Sequence, residues 1–198
     1  MNKINLGIWF DFKIQPDNEW EILFDRFIEA GIKECFINAT VEQLEYLISL
    51  TKHYDINIHG WVWTLNRPYD KKAIKNLNWY SVNRNGQNCY EFRPYVDYYQ
   101  WLSPFSKGAR DYIKNNILQI TKIDGIASVH LDYVRYCDVF LPENLQKYYK
   151  INQTHVFPEF DFGYHPNGRR AFKKEYGVDP LKIEDEVLAK KWKQFRCD

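Results

Sequence analysis

Apolar positions along this chain follow two alternating periods. Residues 5–12 (NLGIWFDF) switch sides at every step, with Leu6, Ile8 and Phe10 on one side and Gly7, Trp9 and Asp11 on the other, which predicts a strand. After Pro16-Asp17 the apolar residues Trp20, Leu23, Phe24, Phe27 and Ile28 recur at helical spacing, with Asp17 as the expected N-cap and Gly31 as the stop. A second strand is expected over 34–39 (ECFINA). Thr40 then caps a helix with Leu44, Leu47 and Ile48 as its buried stripe, ending near His53. Residues 56–65 (INIHGWVWTL) predict a third strand, ended by Asn66-Arg67-Pro68.

Residues 69–107 break the rhythm. They are rich in Asn, Tyr and Arg, and an insertion of that length inside a compact domain is expected to build a site. A helix is predicted over 107–120, a turn at Asp124-Gly125, and a fourth strand over 127–136 (ASVHLDYVRY). An irregular stretch from about 137 to 167 follows, then helices from Gly168 to Tyr176 and from about Ile183. Strands alternating with helices predict an α/β domain with a parallel sheet. Leu6-Gly7-Ile8-Trp9 lacks the glycine pattern of a dinucleotide-binding turn, which argues against that class.

Parity along the strands separates an apolar face, destined for the helices, from a polar and aromatic one. His59, Trp61 and Trp63 oppose Ile58 and Val62, and Ser128, His130 and Asp132 oppose Val129, Leu131 and Tyr133. Asp11, Asn38, Trp63, His130 and Asp132 then converge at the C-terminal ends of the strands, where a parallel barrel carries its site. The plain alternative is that Asp11 and Asp132 cap helices or pair with Arg135.

Charge and composition narrow the partners. The 27 Lys and Arg offset 26 Asp and Glu, a formal net charge of +1, so no nucleic-acid or membrane-surface partner is expected. The apolar runs are too short to span a bilayer. No signal peptide is expected before the first strand. The chain is expected to be cytoplasmic if Met1 is native, and secreted or periplasmic if a leader was removed. Cys35, Cys89, Cys137 and Cys197 contain no close pair, so neither a thiolate metal site nor a needed disulfide is expected. Aromatic residues make up 18% of the chain, with 7 Trp and 15 Tyr. They fit either an aromatic core or a sugar site, where flat rings stack on pyranose faces.

The segment Asp124-Gly125-Ile126 with His130-Leu131-Asp132-Tyr133-Val134-Arg135-Tyr136 resembles the fourth-strand signature of bacterial family-10-like glycoside hydrolases. Trp101-Leu102-Ser103-Pro104 with Arg110, Tyr112 and Ile113 is similar to the approach to that strand, and His59-Gly60-Trp61-Val62-Trp63 to the third strand. Glu159-Phe160-Asp161, residues 172–181 and Trp192 to Arg196 extend the resemblance over nearly the whole chain. Ala127-Ser128-Val129 departs from it by lengthening the entry to the fourth strand, and Gly163-Tyr164-His165 departs from it too.

The resemblance implies a TIM barrel of eight β-α units acting on a poly- or oligosaccharide, with Asp132 as the fourth-strand catalytic carboxylate. It adds His130 as a hydrogen-bonding partner and Arg135 as a cation lowering the Asp132 pKa. The expected carbohydrate-binding set is Asp11, Asn38, His59, Trp61, Trp63, Trp101, His130, Arg135 and Tyr136. Four units in one domain over residues 1–198 are expected to form the N-terminal portion of a truncated barrel whose full length is about 250 residues. A second carboxylate is then expected beyond residue 198, with Glu159 and Asp161 as local alternatives, and dimerisation is expected through open barrel edges. No cofactor is expected. Two other readings remain open: a carbohydrate-binding protein using Trp61, Trp63, Tyr95 and Trp101 as platforms, and a metal-dependent hydrolase with Asp11, His59, His130 and Asp132 as ligands.

Overall fold

The computed structural model describes residues 6–197. It is α/β: four parallel strands in the order β1-β2-β3-β4, β1 Leu6–Asp11, β2 Ile32–Asn38, β3 Asn57–Trp63 and β4 Ser128–Asp132. Helices α1 (Asp17–Glu29), α2 (Val41–Leu50), α3 (Lys71–Ile74) and α4 (Lys107–Ile120) lie between the strands in sequence, and α5 (Glu143–Tyr149), α6 (Pro166–Tyr176) and α7 (Glu186–Cys197) follow the last strand. The chain divides into two compact units, one of residues 1–64 and 113–132, the other of 65–112 and 133–198.

The first unit holds the sheet. Its core joins Trp20, Phe24 and Phe27 of α1, Leu44 and Leu47 of α2, and Ile120 and Ile123 to Cys35, Ile37, Ile58 and Val62 of the strands. Ile8, Phe10 and Val129 pack against this cluster, whereas Leu6 and Leu131, of the same parity, are exposed. Gly60 permits the closest approach, for a Cβ there would stand 2.7 Å from Ile120 Cγ2. Thr40 caps α2, as the sequence predicts, and the structure adds a capping box closed by Gln43. Asp17 does not cap α1. Pro16 takes that position, and Asp17 in the first turn accepts the Tyr46 hydroxyl.

The fourth strand is shorter than the sequence suggests. Gly125 (φ +83°) turns the chain into it, but Tyr133 adopts φ +52°, a left-handed conformation that no strand can contain, so β4 stops at Asp132. Val134, Arg135 and Tyr136 are therefore not strand residues.

In the second unit the insertion is held by buried amides. Asn66 Oδ1 accepts the Gln100 N–H at 3.0 Å, and Gln100 Oε1 accepts that of Tyr69 at 3.1 Å. Asn83 bridges the Gln87 N–H (2.9 Å) and the Glu159 carbonyl (2.9 Å). Isolated antiparallel bridges join Asn66 to Trp101, Tyr80 to Leu102 and Asn83 to Phe162. Asp70 caps α3 through the Lys72 and Ala73 amides. A similar device holds 141–153: Gln153 accepts from the Leu141 N–H, Gln146 accepts from the Gln153 N–H, and Gln146 donates to the Leu141 carbonyl, all at 2.7–2.8 Å. Tyr164, Phe172 and Trp192 form a separate small core.

Candidate functional site

The face of the sheet turned from the helices is a ladder of chemically distinct rows. Parallel register places Trp9 beside Phe36, Phe36 beside His59, and His59 beside Ser128. Rings in this row stack: Trp9 on Phe36 at 4.6 Å and Phe36 on His59 at 4.4 Å between centroids. His130 meets Trp9 and Phe36 edge-on. Trp9 is still 49% exposed, so the stack presents an open aromatic surface.

Toward the C-terminal ends the rows become polar. Asp11 pairs with Asn38, whose side-chain amide donates to Asp11 Oδ1 at 2.9 Å. Trp61 pairs with His130, and Trp63 with Asp132. The Trp61 indole N–H donates to Asp132 Oδ2 at 3.2 Å, and its ring meets that of Trp63 edge-to-face at 6.1 Å. Asp132 is also tied through its backbone, its carbonyl accepting the Thr64 N–H at 2.9 Å. The carboxylate thus stands at the terminus of a paired strand, aimed by an indole donor on the neighbouring strand. Asp11, Asn38, His59, Trp61, Trp63, His130 and Asp132 all belong to this face of the first unit.

One carboxylate of the face escaped the sequence reading. Glu34 accepts from His59 Nε2 at 2.7 Å and from the Asn57 amide at 3.2 Å, while His59 Nδ1 meets Ser128 Oγ at 2.7 Å. His59 is therefore engaged on both ring nitrogens, at the end of the strands opposite Asp132. The signal was present: Glu34 shares the parity of Phe36 and Asn38. A charge at the start of a strand reads most simply as solvent-facing, and its partners come from β3. Among the described residues, no three His, Cys, Asp or Glu side chains gather closely enough to hold a metal ion.

Trp101, Arg135 and Tyr136 lie in the second unit, where each has a packing role. Trp101 is 1% exposed, edge-on to Tyr99 and Tyr133, with the Arg135 guanidinium over its ring at 5.1 Å. A ring so enclosed offers no face to a sugar. Arg135 pairs with Asp138 at 3.0 Å and donates to the Tyr136 carbonyl. Burial opposes the Arg135 cation, and Asp138 more than restores it. Beyond the turn at Tyr133, Arg135 thus forms an i,i+3 ion pair with Asp138. Burial pushes the Tyr136 phenol up, and the Arg196 guanidinium stands 6.0 Å from its ring centre. Tyr95, another expected platform, stacks on Phe160 at 4.5 Å. Glu159 and Asp161 also lie in the second unit, Asp161 buried between Arg84 and Arg196.

Compared with models of known protein families and with curated proteins, the chain matches none.

Proposed function

We propose that this chain acts on carbohydrate as a glycoside hydrolase, with Asp132 as its strand-end carboxylate. The observation that carries the reading is the Trp61–Asp132 contact at the C-terminal end of two adjacent parallel strands. Glycoside cleavage passes through an oxocarbenium-like transition state, and a rigid anion beside the anomeric carbon either stabilises that charge or attacks it. A strand terminus holds such an anion more firmly than a loop. The indole donor fixes the direction of one carboxylate oxygen, and the Trp61 and Trp63 rings beside it suit the apolar face of a pyranose. The resemblance around His130 to Tyr136 points the same way. We further propose that the four strands are part of a (β/α)8 barrel, consistent with their parallel order and with polar tips gathered at one end.

A second reading, sugar binding without hydrolysis, is favoured by the state of the other carboxylates. Hydrolysis uses two carboxyl groups about 5–9.5 Å apart. On this face Asp11 is bound by Asn38, and Glu34 is clamped by His59 and Asn57. Asp132→Asn distinguishes the two readings, since asparagine keeps an oxygen for the Trp61 N–H. Under the first, release of reducing sugar from a panel of polysaccharides falls by more than about a hundredfold while glycan binding persists. A variant that hydrolyses as fast as the parent removes Asp132 from catalysis. A parent that binds glycans yet cleaves none supports the second reading, and one that binds none defeats both.

A further inference from the structure

The second unit contains a small cavity that the proposed carbohydrate chemistry does not use. Its volume is about 150 Å³, and Arg84, Asp161, Tyr164, Trp192, Lys193 and Arg196 line it. Asp161 is the anchor. Its side chain is 5% exposed, Oδ1 accepts from Arg196 Nη1 at 2.9 Å, and Oδ2 lies 3.2 Å from Arg84 Nη2 and accepts the Tyr164 hydroxyl at 3.1 Å. Arg84 donates to the Tyr164 oxygen from Nε (3.1 Å) and Nη2 (2.9 Å). Both guanidiniums also lie over the Tyr164 ring, at 5.4 and 5.5 Å from its centre, and Trp192 flanks Arg196 at 5.5 Å. The backbone makes room for this. Gly163 (φ +123°) passes so close that a Cβ would stand 2.8 Å from Arg196 Cδ.

A buried carboxylate needs a cation to stay charged, and one guanidinium would suffice. Here two surround Asp161, and Lys193, which has no hydrogen-bond or ion-pair partner among the described residues, adds a third positive charge at the rim. Arg196 spends Nη1 on Asp161 and the Phe162 carbonyl, and Arg84 spends Nε and Nη2 on Tyr164 and Asp161. Arg196 Nε and Nη2 and Arg84 Nη1 are left as donors. The lining therefore carries two positive charges beyond what Asp161 balances, with both guanidiniums set against aromatic rings beside a space of oxyanion size.

We infer that this cavity binds a phosphate group, either free phosphate or a phosphate monoester. A monoester carries close to two negative charges at neutral pH and offers three acceptor oxygens. That matches the surplus charge and the three donor groups. Guanidinium forks suit its geometry. The pairing with Asp161 holds the arginines in place before the ligand arrives, which lowers the ordering cost of binding.

Calorimetric titration of the full chain in low-salt buffer, with inorganic phosphate and separately with methyl phosphate, tests the assignment. Saturable binding of either is expected. Lys193→Glu, a change at an exposed side chain, should weaken it by about tenfold or more, and Arg84→Leu should weaken it similarly if thermal melting shows the fold intact. Binding of methyl phosphate alone identifies an esterified ligand, and binding of both identifies the phosphate group itself; each supports the inference. Absence of saturation by about 10 mM of both ligands, or unchanged affinity in Lys193→Glu, would overturn it.

Discussion

Replacing Gly60 by alanine is the sharpest test of how the sheet is held. Built on the existing backbone, the new Cβ stands 2.7 Å from Ile120 Cγ2 and 3.4 Å from Leu44 Cδ1. The second distance is ordinary contact. The first is about 1 Å inside the carbon–carbon optimum, so β3 or the end of α4 must shift. Overpacking of this kind costs about 1–3 kcal/mol. Alanine recovers about 0.4–1 kcal/mol by restricting the unfolded chain. The net loss should then lie between about 0 and 2.6 kcal/mol. Ile120→Ala alone should cost about 2–5 kcal/mol, since that side chain is only 7% exposed. In the double variant the offending methyl is gone and the new Cβ fills part of the vacated space. Its loss should fall short of the sum of the single losses by at least about 1 kcal/mol. Urea denaturation followed by far-ultraviolet circular dichroism measures all four corners of the cycle. Additivity within about 0.5 kcal/mol would refute the steric account and mean that β3 does not rest on Ile120.

Other consequences can be checked separately. Thr40→Ala removes the reciprocal capping bonds of α2 and should lower unfolding free energy by about 1 kcal/mol, read from the same denaturation curves. Cys35 and Cys89 are each pushed up to about 12, chiefly by burial, and Cys137 is raised for the same reason, whereas Cys197 is exposed. Ellman's reagent should therefore modify one thiol quickly in the native chain and four in denaturant; four fast thiols without denaturant would contradict the packing. Burial lowers the pKa of His165 below its ordinary 6.5, so the unfolded chain binds the proton more readily. Stability should then decline as pH falls from about 7 to 5, and His165→Gln should flatten that slope. Asp161→Asn leaves two guanidiniums facing a neutral amide and should cost about 3 kcal/mol or more, visible as a lowered melting temperature.

The parts of the fold set by local chemistry were legible. The stripe of Trp20, Phe24 and Phe27, the Thr40 cap and the left-handed glycines at 31 and 125 each announce themselves within a few residues. Strand parity placed Asp11, Asn38, Trp61, Trp63, His130 and Asp132 on one face. What escaped depends on long-range partners or on unusual backbone. Tyr133 alternates like its neighbours, and only its positive φ ends the strand. Helix α5 was missed because it buries Gln146 instead of an apolar stripe. Arg135 lies three residues from both Asp132 and Asp138, and spacing alone does not single out the Asp138 pair that it forms. Trp101 looks like a platform in the sequence and is a core ring because Tyr99, Tyr133 and Arg135 enclose it.

The glutamine lock on 141–153 and the arginine clamp on Asp161 fasten two segments of the same unit by opposite means. The first consists of neutral dipoles, whose grip neither dissolved electrolyte nor acid should loosen. The second is ionic, a single carboxylate drawing two like charges together. Added salt should therefore loosen the segment around residue 161 first, while the 141–153 loop stays latched, so hydrogen exchange across this unit should separate the two by ionic strength alone.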